Sequence, residues 1–226
     1  MKNLFLNYGI NVTDAQLNLF EKYYTLLIQY NQSFNITTIT ERDEVYIKHF
    51  VDSVINVDKL KSGKLLDVGS GGGFPALPIK IMRPDIDVTM VEATGKKCNF
   101  LNSVITELGL QNVRVFNGRA EEISKTEKFR EQFDICTARA VARLNVLCEY
   151  CMPFVKEGGI FLAYKGNAQE EVKEAANAIN ILGGKLGEVK TYLLNGENRA
   201  LCYIEKVAKT DKKYPRGRGK ERKNPL

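Results

Sequence analysis

Short apolar runs alternate with segments of helical spacing over most of the chain after Lys64. The runs predict seven strands, at residues 65–68, 87–92, 113–116, 133–138, 159–164, 186–194 and 200–207. Helices are predicted between them, at residues 96–108, 144–154 and 169–182, with another that begins near Phe74. This alternation predicts an α/β fold, a mostly parallel sheet with helices on both faces. Asn195-Gly196 separates the last two strands and predicts an antiparallel hairpin at one edge.

The first sixty residues show helical patterns only. Thr13 and Gln16 have the spacing of a capping box. Apolar residues then recur at helical spacing, at Leu17, Phe20, Tyr24, Leu27 and Ile28. A second helix is predicted over residues 42–57 and carries His49, the only histidine, which is more typical of a packed helix interface than of catalysis. We therefore expect a helical extension, residues 1–60, packed on a core domain, residues 61–207.

A glycine-rich loop follows the first predicted strand. Without a Cβ, Gly69, Gly71 and Gly73 can adopt positive φ and let the backbone approach a ligand. A phosphate-binding P-loop is disfavoured, because no Lys followed by Ser or Thr closes the turn. A dinucleotide fingerprint fits if the register begins at Gly71. The strand ends at Val68, however, so Gly69 is the more natural first glycine, and Asp67 then precedes it closely.

Acidic residues end both of the first two strands. A carboxylate at Asp67 would repel a pyrophosphate and attract a cationic ligand. S-adenosylmethionine carries an ammonium and a sulfonium, and its ribose diol needs an acid such as Glu92 at the end of the second strand. The residues therefore favour S-adenosylmethionine as the cofactor and S-adenosylhomocysteine as its product. The predicted cofactor-binding residues are Asp67, Gly69, Gly71, Gly73 and Glu92.

Composition is that of an ordinary globular chain. The 226 residues are 44% hydrophobic and 27% charged, which suits one α/β domain with appendages. No apolar stretch approaches the roughly 18 residues of a membrane span, so we expect a cytoplasmic protein without a membrane partner. The five cysteines have irregular spacing. Cys148 and Cys151 are therefore interpreted as buried small side chains, and no metal is expected.

Positive charge is concentrated at the carboxyl terminus. The net charge is +6, but residues 206–226 hold nine Lys and Arg against two acids, so the preceding residues sum to −1. Residues 208–226 are therefore predicted to form a basic tail that contacts RNA phosphates, with Tyr214 as a stacking ring, and to be partly disordered in the free protein. Its predicted RNA-binding residues are Lys213, Arg216, Arg218, Lys220, Arg222 and Lys223.

Further cations follow the third, fourth and fifth strands. Arg119, Arg139 and Lys165 are predicted to converge on one rim of the sheet, because open sheets bind ligands where their strands end. Arg143 lies in the same loop as Arg139, and Arg119, Arg143 and Lys165 are also predicted to bind RNA. Three cations on one rim favour an anionic substrate.

Several motifs together resemble the small-subunit ribosomal RNA guanine-N7 methyltransferase family, also called glucose-inhibited division protein B. The matching motifs, spread over nearly the whole chain, are Leu66-Asp67-Val68-Gly69-Ser70-Gly71-Gly72-Gly73-Phe74-Pro75, Gly95-Lys96-Lys97, Phe100-Leu101, Asn31, Asn35, His49-Phe50, Asp52-Ser53, Arg119-Ala120-Glu121, Ala138-Arg139-Ala140, Lys165-Gly166, Tyr214-Pro215-Arg216 and Asn224-Pro225-Leu226. The chain departs from the pattern at Ala76, where many members have glycine, and at Lys220, where the tail often has proline.

The resemblance implies a class I methyltransferase fold, Rossmann-like, with seven strands and an antiparallel edge strand. It also implies methyl transfer from S-adenosylmethionine to N7 of a guanine in ribosomal RNA, by a monomer whose partner is that RNA or the small ribosomal subunit. Cofactor contacts are implied at Gly69, Phe74, Ala120, Glu121 and Arg139.

The implied chemistry agrees with what the sequence lacks. Guanine N7 carries a lone pair and no proton, so its attack on a sulfonium methyl needs no general base. No Pro-Cys pair and no Asn or Asp followed by two prolines is present, which disfavours pyrimidine-C5 and exocyclic-amine enzymes. Arg139 and Lys165 are therefore assigned the catalytic role of orienting the guanine. A small-molecule or other RNA methyltransferase, and a nucleic-acid-binding module with a degenerate cofactor site, remain as alternatives.

Overall fold

A computed structural model describes residues 1–226 and contains one seven-stranded sheet. The strands are β1 (Lys64–Val68), β2 (Asp87–Glu92), β3 (Val113–Asn117), β4 (Phe133–Arg139), β5 (Val155–Lys165), β6 (Gly184–Leu194) and β7 (Glu197–Lys206). Their order across the sheet is β3-β2-β1-β4-β5-β7-β6, and every pairing is parallel except the two made by β7. The predicted α/β fold is confirmed. The reversed strand lies one position in from the edge, because β6 forms the edge.

The helices are close to those predicted, with a few differences at their ends. They are α1 (Lys2–Leu6), α2 (Asp14–Asn31), α3 (Arg42–Val45), α4 (Asp52–Val54), α5 (Ala76–Met82), α6 (Gly95–Glu107), α7 (Ala120–Ile123), α8 (Leu144–Cys151), α9 (Gln169–Glu174), α10 (Ala176–Ile181) and α11 (Lys220–Lys223). The capping box of Thr13 and Gln16 is present. A π-helical turn, Tyr46–Val51, joins α3 to α4, and this second helical segment ends at Val54 rather than near residue 57.

Two helix predictions were wrong in detail. The helix after the glycine loop begins at Ala76, because residues 71–75 form turns and Pro75 is its N-cap. The helix predicted over residues 169–182 is two short helices, α9 and α10, that meet at Ala175. The hairpin between β6 and β7 is confirmed, and Asn195 and Gly196 have φ of 49° and 78°, as a two-residue type I′ turn requires.

The N-terminal helices share a core with the sheet. One face is covered by a hydrophobic cluster that includes Phe20 and Phe50 from this region, Leu65 of β1 and Leu101 of α6. The other face packs α8 and α10, and successive β1 residues alternate between the two clusters. The predicted boundaries of the core domain, at residues 60 and 207, stay a prediction. No helix of the structure is both long enough and apolar enough to cross a membrane.

The basic tail is packed against the core, which corrects the expectation of a partly disordered terminus. Glu149, on α8, is 1% exposed and binds the Arg216 guanidinium at 2.7 Å. Tyr214 is 8% exposed, so its ring is not available to stack on a base. The Arg130 side chain donates to the carbonyls of Thr210 and Tyr214 at 2.8 and 3.0 Å. Arg216 of the tail therefore forms an ion pair with the core, and this contact stabilises the fold.

Candidate active site

The sheet reverses its strand order between β1 and β4, and the candidate site lies where these two strands end. From β1 the chain adds β2 and β3 on one side, then returns to place β4 on the other. The connections that follow β1 and β4 therefore leave in opposite directions and open a crevice at their carboxyl ends. Asp67 and Thr137 are paired across these two strands next to that crevice.

The glycine loop adopts the conformation that the sequence predicts. Gly69, Gly71 and Gly73 have φ of 70°, 55° and 91°, a region that side chains rarely enter. A Cβ on Gly73 would collide with Tyr23 and approach a Leu77 methyl to 2.7 Å, whereas one on Gly71 would meet only a backbone oxygen at 3.8 Å. Gly73 is therefore required for packing, and Gly71 leaves open space at the surface of the loop.

Glu92 connects the loop to the end of β2. One of its carboxylate oxygens accepts from the Gly71 N–H at 2.9 Å, and the other accepts from the Thr94 N–H at 2.8 Å. Its side chain is 6% exposed. Each oxygen keeps a lone pair, so the carboxylate can also accept hydrogen bonds from the hydroxyls of a ribose.

Asp67, on β1 beside the glycine loop, is buried with one carboxylate oxygen that has no hydrogen-bond partner, unlike Glu92. It is 0% exposed, and its Oδ1 accepts from the Thr137 hydroxyl at 2.7 Å. Its Oδ2 is buried and has no partner. Burial raises the pKa of Asp67 to about 7, although the nearby hydroxyls of Ser70 and Thr137 act to lower it. An unsatisfied carboxylate oxygen beside the glycine loop fits the ammonium of S-adenosylmethionine.

Helices of the N-terminal region hold the far side of the loop. The Tyr23 hydroxyl donates to the Gly72 carbonyl, and its ring stacks on Phe74 with centroids 5.5 Å apart. The His49 ring also stacks on Phe74, with centroids 4.5 Å apart. Phe74 is 7% exposed, so the ring fixes the loop, and its implied cofactor contact stays a prediction.

His49 is a packed and neutral histidine. Burial, aided by the Arg139 charge, lowers the pKa of His49 to about 3. Its Nε2 lies 2.9 Å from the Thr37 hydroxyl, and its Nδ1 lies 3.3 Å from the Arg139 guanidinium. Because the guanidinium can only donate, Nδ1 accepts and Nε2 carries the proton. The structural interpretation of this residue fits these contacts.

Arg139 enters the crevice from the end of β4 and is anchored to the N-terminal region. Its guanidinium binds Asp52 at 2.9 Å and the Lys48 carbonyl at 3.1 Å, and it lies 5.1 Å from the Phe74 ring centroid. Asp52 is 4% exposed and also accepts from the Tyr192 hydroxyl at 2.7 Å. Sequence reasoning assigned Asp52 no role, although its spacing three residues after His49 places both on one helical face.

Lys165 lies in the same pocket, at the end of β5. This pocket has a volume of about 350 Å³, and both Arg139 and Lys165 line it. The Lys165 ammonium donates to the Ala142 carbonyl at 2.9 Å and pairs with Glu171 at 2.7 Å. All five cysteines are buried, and none lines this pocket. No cluster of His, Cys, Asp or Glu side chains has the arrangement of a metal site.

Arg119 lies elsewhere, so the predicted convergence of three cations was wrong. Arg119 lines a second cleft, together with the tail residues Arg216, Arg218 and Arg222. It precedes α7, and the loop after β3 leads toward the tail rather than toward β5. Ala120 and Glu121 begin α7, where their backbone could meet an adenine; this contact stays a prediction. Arg143 pairs with Glu174 at the surface.

Comparison with known proteins places the chain in a family. A family model described as rRNA small subunit methyltransferase G matches residues 16–202. The chain belongs to the rRNA small subunit methyltransferase G family. A Ribosomal RNA small subunit methyltransferase G of Streptococcus gordonii is 46% identical over 224 residues, which is 96% of this chain and 94% of the relative. One from Leuconostoc mesenteroides is 47% identical over 225 residues, 96% of this chain and 94% of the relative.

Membership in the methyltransferase G family confirms the recognition from sequence motifs, the enzyme class and the S-adenosylmethionine cofactor. Solved structures confirm the fold. A SAM dependent methyltransferase from Aquifex aeolicus superposes with a TM-score of 0.56 at 17% identity, over 75% of this chain and 96% of that one. M. jannaschii TYW2 in complex with AdoMet gives 0.59 at 12% identity, over 76% and 81% of the two chains.

Proposed function

We propose that this enzyme transfers the methyl group of S-adenosylmethionine to N7 of a guanine in small-subunit ribosomal RNA. The observation that carries the proposal is the pocket of Arg139 and Lys165, which lies at the carboxyl ends of β4 and β5, on the same edge of the sheet as the glycine loop after β1. Membership in the methyltransferase G family supports the RNA substrate. We also propose that the enzyme acts in the cytoplasm as a monomer.

The cofactor would be held at both of its polar ends. Asp67 Oδ2 would accept a hydrogen bond from its ammonium, and the Glu92 carboxylate would accept hydrogen bonds from its ribose hydroxyls. Residues 120–121 would contact its adenine. The sulfonium supplies an electrophilic methyl group. The chain's own contribution is to fix the geometry of the cofactor loop, because the Tyr23 and His49 rings both stack on Phe74.

The substrate side of the pocket offers cations and no general base. Arg139 and Lys165 would orient the guanine and its phosphates, so that the N7 lone pair points along the line of the methyl–sulfur bond. No proton leaves N7 in this reaction, and the neutral His49, with both nitrogens in hydrogen bonds, agrees with that requirement. The residues of the pocket therefore suit an N7 acceptor.

Ribosomal RNA from cells that lack the protein tests the proposal. Purified enzyme and S-adenosylmethionine labelled in the methyl group should place label in the small-subunit RNA, and reduction followed by aniline should cleave it at one guanine. Label that enters RNA at a nucleotide without this cleavage would overturn the N7 assignment. Label found only in small molecules would favour the alternative methyltransferase.

Cofactor affinity should depend on pH through Asp67. Because burial raises its folded pKa to about 7 from 3.8, its contribution to stability is present at low pH and is lost as pH rises through 7. The ammonium group of S-adenosylhomocysteine favours the ionised Asp67 carboxylate, so the affinity for this product should rise roughly tenfold between pH 5.5 and pH 7. Calorimetric titration of wild type and Asp67→Asn measures this. An equally steep rise in the variant would show that Asp67 is not responsible.

Exposed tail cations should contribute to RNA affinity without supporting the fold. Arg218, Lys220 and Lys223 are exposed and have no acidic partner within 4 Å. Changing all three to Gln should reduce the slope of log affinity against log salt by about 2, because each phosphate contact contributes roughly 0.7. Filter binding over a salt series measures the slope.

A matched triple variant controls for the change in net charge. Lys61, Lys64 and Lys185 are equally exposed but precede or begin strands, at the edge of the sheet away from the crevice. Their change to Gln should leave the salt slope within experimental error of wild type. Equal slopes in both triple variants would remove the tail from the RNA interface.

A further inference from the structure

The proposed chemistry leaves the choice between guanine and adenine unexplained. Both purines present N7 as an acceptor with a lone pair, so the reacting atom itself cannot distinguish them. They differ at C6, where guanine carries an oxygen acceptor and adenine an amino donor, and at C2, where only guanine carries an amino donor. A base taken out of a stack is recognised by hydrogen bonds to its Watson–Crick edge, which includes the C2 position. A pocket that selects guanine through its 2-amino group needs an acceptor placed away from the glycine loop.

Two carboxylates line the pocket, and one of them has an unused oxygen. Asp52 has both oxygens engaged, by Arg139 at 2.9 Å and by the Tyr192 hydroxyl at 2.7 Å. Glu171 uses only Oε2, which binds Lys165 at 2.7 Å and accepts from the Leu144 N–H at 2.8 Å. No group of the chain donates to Glu171 Oε1, and the side chain is 21% exposed.

The loop after β4 connects the cofactor loop to Glu171, which lies on α9. At the start of this loop, the Val141 side chain packs against Gly69. A Cβ added to Gly69 would lie 2.7 Å from a Val141 methyl carbon. One residue later, the Ala142 carbonyl binds Lys165, and Leu144 binds Glu171. The loop thus extends from the glycine loop to the Glu171 carboxylate. A purine whose N7 points at the methyl donor presents its C2 edge in the opposite direction.

We propose that Glu171 Oε1 accepts a hydrogen bond from the 2-amino group of the target guanine and so selects guanine over adenine. The inference rests on the proposed function, since it concerns the base methylated in that pocket. Lys165 and the Leu144 N–H fix the carboxylate through Oε2 and leave Oε1 free to accept from the base. Glu171 is thus a specificity determinant of the reaction, while Lys165 also holds it in position.

Inosine at the target position isolates this contact, because it is guanosine without the 2-amino group. Small-subunit RNA is ligated with guanosine, inosine or adenosine at the mapped nucleotide, and kcat/KM is measured for each. Wild type should prefer guanosine over inosine by roughly 10- to 100-fold, the effect of one hydrogen bond to a charged acceptor. In Glu171→Gln the amide oxygen can still accept hydrogen bonds from Lys165 and the Leu144 N–H, while the amide NH2 faces the base. The ratio of kcat/KM for guanosine over inosine should therefore fall to about 1.

Glu170→Gln is the matched control, since Glu170 is the exposed neighbour on α9 and does not line the pocket. It should keep the wild-type preference. A Glu171→Gln enzyme that is slower on both bases yet keeps the wild-type ratio would overturn the inference and leave Glu171 as a support for Lys165. A wild-type enzyme that methylates no guanine at all would instead overturn the proposed function.

Discussion

Arg139→Ala is expected to lower kcat/KM for methyl transfer by roughly 100-fold or more, the size of effect that misplacing a reacting group produces. The guanidinium lines the proposed guanine pocket and contacts the N-terminal region through Asp52 and His49. Its removal also leaves the buried Asp52 carboxylate with Tyr192 as its remaining partner, so the free energy of unfolding should fall by about 3 kcal/mol. Single-turnover transfer and urea denaturation measure the two effects.

A double variant separates these two consequences. Asp52→Asn combined with Arg139→Ala removes the unpaired charge, so most of the lost stability should return while methyl transfer stays slow. Lys165→Ala should also slow transfer, because its ammonium lies in the same pocket. If Arg139→Ala and Lys165→Ala both transferred methyl at the wild-type rate while Asp67→Ala abolished transfer, the orienting role of the two cations would be wrong.

Arg216→Ala should destabilise the fold by about 4 kcal/mol, the cost of leaving one buried charge without its partner. Glu149 is 1% exposed and accepts from the Arg216 side chain at 2.7 and 2.9 Å and from its backbone N–H at 2.8 Å. Urea denaturation with linear extrapolation measures the loss. Replacing both residues, with Glu149→Gln added to Arg216→Ala, should recover more than half of it.

Removing residues 209–226 would therefore test two properties at once. Lys206 is 0% exposed and donates to the hydroxyl of Thr210, which the deletion removes. We expect this truncation to lower stability as well as RNA affinity, so the exposed-cation variant is the cleaner probe of RNA binding. An unfolding midpoint unchanged by Arg216→Ala would show that the tail is only loosely held.

Local patterns predicted the strands and the cofactor loop. The apolar run of β1 and the positive φ of Gly69, Gly71 and Gly73 are determined by neighbouring residues, so the sequence predicted them well. Glu92 was assigned to the ribose from its position at a strand end, and its additional hydrogen bond to Gly71 is a loop-closing contact that no spacing encodes.

Long-range pairing explains what could not be predicted. A basic tail looks solvated in sequence because its partner Glu149 lies 67 positions earlier on α8. Likewise, Arg119 and Lys165 both follow strands, but the strands lie on opposite sides of β1, and their loops lead to separate clefts. Charge counts describe composition, whereas ion pairing depends on which buried acids the fold brings near each cation.

The hydrophobic cluster that joins the N-terminal helices to the sheet extends from Phe5 to Leu201 in the sequence. The Tyr8 hydroxyl likewise accepts from the Asn195 N–H at 2.9 Å. A nascent chain cannot complete this cluster until its last strand has been synthesised and released from the exit tunnel. Contacts of such long sequence separation make folding slow and place it after translation. The growing polypeptide must therefore keep its early aromatic side chains from aggregating until synthesis is nearly complete.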